Sequence, residues 1–484
     1  MNTQHYAVRI ETLGCRLNQV EAESFAALCI DSGFSLYHNR TDYTGYAAVP
    51  EDISVSAALR FYSALPPENT VLCFVNTCTV TGKAEQKARR LIRMLVKEHP
   101  YAVILVTGCY AQLEAAEIEG IHPHVLSFPG RQKDLLTALP AYLAGLLQSG
   151  ADTVLLISAL RSYLAALTDG KCVGNLLQHE QGLFALSASR FPFHSRALLK
   201  IQDGCNAACA YCRIRVARGK SVSLPAAEVI SRLQRIEKTG IPEVTLSGVN
   251  LSQYRSEAGD FAGLLKLILK TSRIRIRISS LYPDRVDTEL IPLLAHPRIC
   301  PHFHLSVQSG SDAVLKAMHR SYTQQAVCKA VAELRRVKDN PFIGADIITG
   351  FPGETQADFS ETYRMCRQLN FAGIHAFPFS ARPGTEAWKM QPKIPERIAG
   401  QRVKELNRLA EEQGAAYLHA WNGKLVYGVT EAPRNGRCIV ITENYLSLPL
   451  TEESLENTAT LRGGEYVRVR VCNSKACLIE TITH

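Results

Sequence analysis

Three cysteines spaced Cys205-x3-Cys209-x2-Cys212, in the run GCNAACAYC, directly follow a stretch that reads as a strand. Three thiolates within eight residues can hold three irons of a [4Fe–4S] cluster and leave the fourth iron open. A structural zinc knuckle competes with that reading. Zinc favours paired C-x2-C units or a histidine as fourth ligand, and the nearest upstream histidine, His194, lies before the strand. Cys15, Cys78 and Cys109 each follow a predicted strand as well, in TLGC, FVNTC and LVTGC. Parallel strands end on one edge of their sheet, so residues after three of them can converge. One such cysteine would read as packing. Three at equivalent strand ends, each beside a Gly or Thr, point to a second three-thiolate site. The other nine cysteines, Cys29, Cys73, Cys172, Cys300, Cys328, Cys366, Cys438, Cys472 and Cys477, read as packing residues.

The elements that must position these sites alternate. In residues 1–150, strands at Tyr6–Thr12, Val71–Val75 and Ala102–Thr107 alternate with helices at Gln19–Asp31, Gly82–Lys97 and Gln132–Gln148, which argues a parallel α/β domain. A polar stretch at Tyr37–Asn69, with a short helix near Val55–Tyr62, reads as an insertion. Residues 151–195 read as a linker with some helix. Residues 196–420 alternate again. Strands at Ala197–Gln202, Glu243–Leu246, Ile274–Ser279, His302–Ser306, Phe342–Ile348 and Gly373–Pro378 fit a partial (βα)6 barrel with its site at the strands' C-terminal ends. A long helix, Pro395–Tyr417, follows. Residues 421–484 switch to short alternating strands at Leu425–Thr430, Cys438–Ile441 and Tyr466–Cys472, a small β-barrel of the kind used on RNA. The fold class is α/β with that C-terminal β-barrel.

With 484 residues the chain is long enough for about three domains. Its 46% hydrophobic and 20% charged residues exclude a disordered or collagenous chain. The apolar run Val154–Leu167 is too short to span a membrane and is broken by Arg161. The N-terminus has no apolar signal-peptide core, so a cytoplasmic protein is expected. There, fifteen cysteines point to metal or catalysis rather than disulfides. The net charge is +9, and all the positive excess lies in residues 196–420, which hold 32 Lys and Arg against 21 Asp and Glu, while residues 1–150 are slightly acidic. Such an excess suits an anionic partner such as RNA or a solvated surface equally.

The C-x3-C-x2-C motif with an aromatic, Tyr211, before its last Cys resembles the radical S-adenosylmethionine (SAM) superfamily. The resemblance implies that SAM chelates the open iron and that Tyr211 lies near its adenine. Gly248 and Asn250, in the turn SGVN after the second barrel strand, fall where that superfamily places its turn against the SAM amino group. Gln308 and Ser309, in HLSVQSGS, and the loop GFPGE at 350–354 fall at strand ends that could contact SAM or substrate.

Together, the N-terminal triplet, the barrel and the small C-terminal β-barrel resemble the methylthiotransferase family over nearly the whole chain. Its branches act on isopentenyladenosine in tRNA, on threonylcarbamoyladenosine in tRNA, or on an aspartate of a ribosomal protein. The run LGCRLNQVE at 13–21, with NTCTVT, GCYAQ, FPFS and RPGT further on, is similar to the threonylcarbamoyladenosine branch. Departures are the 37–69 insertion, Arg215 where the family carries proline, and a weakly matched last domain. The resemblance implies two [4Fe–4S] clusters, on Cys205, Cys209 and Cys212 and on Cys15, Cys78 and Cys109, and two SAM per turnover. It implies a 1–150 methylthiotransferase domain, a 196–420 radical SAM domain and a TRAM-like RNA-binding barrel at 421–484. It also implies tRNA as partner and an electron donor such as flavodoxin or ferredoxin, and it leaves the sulfur donor open. Arg16, Asn18 and Gln19 are the candidate substrate contacts. The helix Lys83–Lys97 and the alternating Arg273, Arg275 and Arg277 are candidate phosphate contacts. A non-catalytic iron–sulfur RNA-binding protein is the reading of another class.

Overall fold

The structure, a computed structural model, describes residues 6–37, 69–169, 182–188, 190–431, 438–451, 454 and 461–482. The expected insertion, apart from its two end residues, lies outside the described residues, as does its short helix. The chain divides into two compact units. Among the described residues, one comprises those up to 193 together with 213–220, and the other comprises 194–212 and those from 221 onward. Among the described residues no helix is long and apolar enough to cross a membrane.

The first unit is built on a five-stranded, wholly parallel sheet. Its spatial order is Ser35–Tyr37, Ala7–Thr12, Thr70–Thr77, Val103–Gly108 and Val125–Ser127. All eight residues of TVLCFVNT at 70–77 are buried, which is why this strand reads as a continuous apolar run and must be covered on both faces. The chain moves outward from Ala7–Thr12 to one edge and then returns to the opposite side. The strand order therefore reverses between Ala7–Thr12 and Thr70–Thr77, where doubly wound sheets open a crevice at their C-terminal edge. Helix Gly82–Glu98 is capped by Thr81, whose hydroxyl accepts from the Ala84 amide, and it buries only Glu85, Ala88, Ile92 and Leu95. Its other face carries Lys83, Lys87, Arg90, Arg93 and Lys97, all exposed. Helix Thr153–Thr168, in the stretch read as a linker, buries Leu156, Leu160, Leu164 and Leu167 in the first unit's core. At about 2 kcal/mol per buried leucine, that spacing anchors the helix firmly.

The second unit carries the six expected barrel strands, all parallel. Arg275–Ile278, Glu243–Ser247 and Ala197–Lys200 form one sheet; Ser280–Leu281, His302–Gln308, Phe342–Thr349 and Gly373–Pro378 form the next. A bridge between Ile276 and Ile299 links them, giving a partial barrel. The same unit ends in a five-stranded antiparallel sheet. A bridge from Leu450 to Ala476 draws its outer strands together, so the sheet curls as a small barrel does.

Two expectations are corrected here. Arg275 and Arg277 are not a ridge open to phosphate. Arg277 is 1% exposed, grips both oxygens of Glu243 at 2.7 and 3.0 Å, and donates to the carbonyls of Thr442 and Glu443. Arg275 pairs with Glu443 and lies over the Tyr466 ring. Strand alternation did put them on one face, but that face is covered by the C-terminal sheet, and only Arg273 is exposed. Among the cysteines read as packing, Cys328 is exposed, and Cys472 and Cys477 are joined as a disulfide across their hairpin. Cys172 lies outside the described residues.

Candidate metal centres and cofactor site

In the first unit, three strand ends deliver the first triplet. Cys15 is the N-cap of helix Arg16–Asp31, Cys78 follows Thr70–Thr77, and Cys109 opens helix Cys109–Leu113 directly after Val103–Gly108. The glycines beside them are steric requirements. Gly14 sits at φ +103°, and a Cβ there would lie 2.5 Å from the Cys78 Cβ and 2.8 Å from its Sγ. Gly108 sits at φ +96°, and a Cβ there would lie 2.4 Å from the Thr77 carbonyl.

Asn18 ties the loops. Its Nδ2 donates to the carbonyls of Leu13 at 2.8 Å and Thr77 at 3.0 Å, and its Oδ1 accepts from Arg218 at 2.7 Å. It is fully buried, and it positions the cysteine loops. Behind it, buried Glu21 pairs with Lys133 and, at 3.2 Å, with Arg218. Arg16 and Gln19 lie in the same first turn, both half-buried. The Gln19 Oε1 is buried with no hydrogen-bond partner among the described residues.

The electrostatics of this site suit a cationic inorganic group. Burial pushes the Cys78 thiol up to about 12, and the neighbouring Cys15 and Cys109 add to the shift. Burial also raises the Cys109 thiol, against the pull of Arg218 and Lys133. Left alone, these desolvated thiols keep their protons; a metal bound here would displace them, and Arg218 and Lys133 would then balance the thiolate charge.

In the second unit, Cys205, Cys209 and Cys212 occupy the loop after Ala197–Lys200 and Gln202–Asp203. Gln202 organises it. Its Nε2 donates to the carbonyls of Asp203 and Gly204 and to the Ser221 hydroxyl, and its Oε1 accepts the Asn250 amide at 2.8 Å. The structure thus brings the expected SGVN turn onto the cysteine loop. A Cβ at Gly248 would meet Gln202 Oε1 at 2.9 Å and the Leu251 side chain at 2.8 Å, so a larger residue there would have to displace the side chain that organises the loop. Donors are aimed at the sulfurs. The Ala207 amide reaches Cys205 Sγ at 3.4 Å, Asn250 Nδ2 reaches it at 3.9 Å, and Arg320 Nη1 reaches Cys209 Sγ at 3.3 Å.

Arg320 carries no motif and escaped the sequence reading. Its guanidinium is held by the hydroxyls of Tyr282 and Tyr322 and the Ser306 carbonyl, and it lies 4.3 Å from the Tyr282 ring centroid. Tyr211 packs edge-on against Phe351, in a small apolar cluster with Ala210 and Met318. Gln308 adopts left-handed backbone, φ +67°, a strained conformation of the kind found at functional loops. Ser309 is fully buried and bonds Thr362 and the Ser311 amide, so its hydroxyl shapes the loop. In the GFPGE loop, buried Glu354 accepts from the Gly350 amide and from Arg402, which fixes the turn.

Metal geometry separates the two readings of the triplets. A single tetrahedral zinc with Zn–S near 2.3 Å holds its sulfurs about 3.8 Å apart. Among the described residues only the group His304, Asp346 and His375 brings its ligand atoms all within 4.8 Å of one another; neither cysteine triplet closes to that span.

Comparison with known proteins agrees with this chemistry. The Radical SAM superfamily model matches residues 199–366, and that of uncharacterized protein family UPF0004 matches residues 58–130. The fold and the cysteine sites define a radical SAM enzyme. A threonylcarbamoyladenosine tRNA methylthiotransferase, MtaB, of Treponema pallidum (strain Nichols) is 48% identical over 98% of this chain and 100% of its own length. An MtaB of Aquifex aeolicus (strain VF5) is 31% identical over 91% of this chain and 96% of its own. A solved radical S-adenosylmethionine methyltransferase, TsrM from Kitasatospora setae, superposes with a TM-score of 0.48 at 14% identity, over 79% of this chain and 77% of that one. The chain belongs to the MtaB family of radical SAM methylthiotransferases.

Proposed function

We propose that this chain adds a methylthio group to carbon 2 of N6-threonylcarbamoyladenosine beside the anticodon of tRNA, giving 2-methylthio-N6-threonylcarbamoyladenosine. The observation that carries the reading is the pair of three-cysteine sites, each built at the C-terminal ends of parallel strands. The aromatic C–H at that carbon is beyond any side-chain base, so cofactors must do the bond-breaking while the protein positions them. When bound, a [4Fe–4S] cluster on Cys205, Cys209 and Cys212 with one SAM would supply hydrogen abstraction, and a second on Cys15, Cys78 and Cys109 with another SAM would supply the methylated sulfur.

The chain's own residues then have defined tasks. Arg320 and Asn250 donate to the barrel thiolates, and Tyr211, Gly248 and Gln308 line the SAM side. Lys133 and Arg218 balance the charge of the first-unit triplet. A threonylcarbamoyl group carries a carboxylate, a hydroxyl and urea-like N–H groups, whereas an isopentenyl group needs only an apolar wall. Arg16 matches the carboxylate in two-point geometry. The unpartnered Gln19 Oε1 matches an N–H donor. An unmatched buried polar atom costs about 1–3 kcal/mol, roughly 5- to 150-fold in discrimination. The exposed stripe of Lys83, Lys87, Arg90, Arg93 and Lys97 suits tRNA phosphates, and the curled C-terminal sheet is a second RNA-binding element. A flavodoxin- or ferredoxin-type protein would supply electrons, and a tRNA substrate places the enzyme in the cytoplasm.

The test is a competition between tRNAs bearing the two hypermodified adenosines, read by nucleoside mass spectrometry. The threonylcarbamoyl substrate is expected to win, and Arg16→Ala is expected to erode its advantage by about tenfold. Preferential methylthiolation of the isopentenyl tRNA would overturn the assignment.

A further inference from the structure

Three side chains on neighbouring barrel strands meet with no part in the chemistry above. His304 lies on His302–Gln308, Asp346 on Phe342–Thr349 and His375 on Gly373–Pro378. The parallel registers pair His304 with Gly344 and Asp346 with His375. Residues 344 and 346 share a face, so all three groups stand on one face of the sheet. The other face carries Leu305, Ala345, Ile347 and Ile374, all buried, so the three polar groups stand opposite an apolar packed face.

His304 Nε2 is 2.9 Å from Asp346 Oδ1, and His375 Nδ1 is 3.5 Å from the same oxygen. All three ligand atoms lie within 4.8 Å of one another. The crowding is arranged: a Cβ at Gly344 would stand 2.9 Å from His304 Nδ1, so glycine opposite His304 lets the imidazole lie across the strand.

We propose that His304, Asp346 and His375 form a binding site for one divalent transition-metal ion. Two imidazoles and one carboxylate are the donor set that borderline ions such as Zn2+ and Fe2+ take. Ligands at about 2.0–2.2 Å from a tetrahedral ion stand roughly 3.3–3.6 Å apart. The His375 separation falls within that range and the His304 separation lies about 0.4 Å below it, so an ion would have to part His304 from Asp346 slightly on entering. Three protein ligands leave a fourth position open, and an oxygen donor from water or from a bound molecule would complete it. The His375 side chain is 62% exposed, which gives the ion its entry.

Zinc alone is the probe, because it is absent from the iron–sulfur chemistry. Anaerobically reconstituted holoprotein, its cysteines occupied by iron, is equilibrated with zinc buffered by a chelator. Zinc and iron per chain are then counted together by mass spectrometry. The expected result is about one zinc per chain, with affinity at least tenfold lower in Asp346→Asn and in His375→Gln at unchanged iron content. Because His375 is exposed, His375→Gln decides the matter even where Asp346→Asn disturbs the fold. Equal zinc occupancy in the wild-type protein and His375→Gln, or no zinc in either at micromolar free metal, would overturn the site.

Discussion

Gly14→Ala should cost the first-unit triplet its iron while sparing the barrel triplet, and a second glycine supplies the control. Two terms act at Gly14. Its φ of +103° strains any L residue by about 1–3 kcal/mol. A methyl there also stands 2.5 Å from the Cys78 Cβ, about 1 Å inside ordinary contact, and a Cβ fixed to buried backbone cannot swing away as a side-chain tip can. Gly33 has the first term alone: φ +87°, with nothing within 4 Å of a built Cβ. Gly33→Ala should therefore lose about 1–2 kcal/mol and retain its metal. At about 2–4 °C per kcal/mol for a unit of this size, that is roughly 2–8 °C in melting temperature. Gly14→Ala should lose more, and its reconstituted protein should hold about four irons rather than about eight, with SAM cleavage intact. The assay is paired iron and melting measurements on the two variants, with deoxyadenosine formation as the readout for the barrel site. Full iron in Gly14→Ala would refute the close approach of the Cys15 and Cys78 loops.

Replacing Lys87, Arg90 and Arg93 together with Ala should weaken tRNA binding and lower the slope of log affinity against log salt by about two to three; an unchanged slope would remove the stripe from the interface. Arg277→Met leaves Glu243 buried among fewer cations and should cost about 3–5 kcal/mol in denaturant unfolding, with tRNA affinity unchanged in folded protein. Burial opposes the charge on Glu243, but Arg277 and Arg196 hold its carboxyl down to about 2. A depressed carboxylate contributes stability above its unfolded value near 4.5 and loses it as pH falls toward 2, so acid unfolding of the second unit should steepen in that window and Glu243→Gln should flatten it. Arg320→Met should leave the cysteine loop in place but shift the electron paramagnetic resonance signal of the reduced barrel cluster, because a donor to a ligating sulfur is lost.

The sequence made the scaffold legible wherever a short-range pattern had one physical cause. Continuous apolar runs such as TVLCFVNT and VILVTG read as strands buried on both faces, with Cys78 and Cys109 directly after them and Cys15 three residues after Ala7–Thr12. Convergence then followed from parallel pairing, although the edge strands Ser35–Tyr37 and Val125–Ser127, three residues each, were too short to announce themselves. What failed was the assignment of polar residues to a face. Arg275 and Arg277 alternate as an exposed ridge would, and nothing local shows that Glu443 and Thr442, more than 160 residues further on, cover them. Asn18 follows Cys15 in sequence, and nothing local shows that its amide ties the carbonyls of Leu13 and Thr77 together. Arg218, Arg320 and the His304–Asp346–His375 group are the same case in reverse. Each depends on partners brought together across strand ends or between strands, with no spacing to reveal it. Those partners are also what convert two sets of thiols into different chemistry. Two cations stand behind Cys109 in one unit, and a single tyrosine-clamped guanidinium faces Cys209 in the other. Under the proposed function the cysteines would fix where iron sits, and the charges beside them would set how readily each cluster is reduced and what it could hold in its open position.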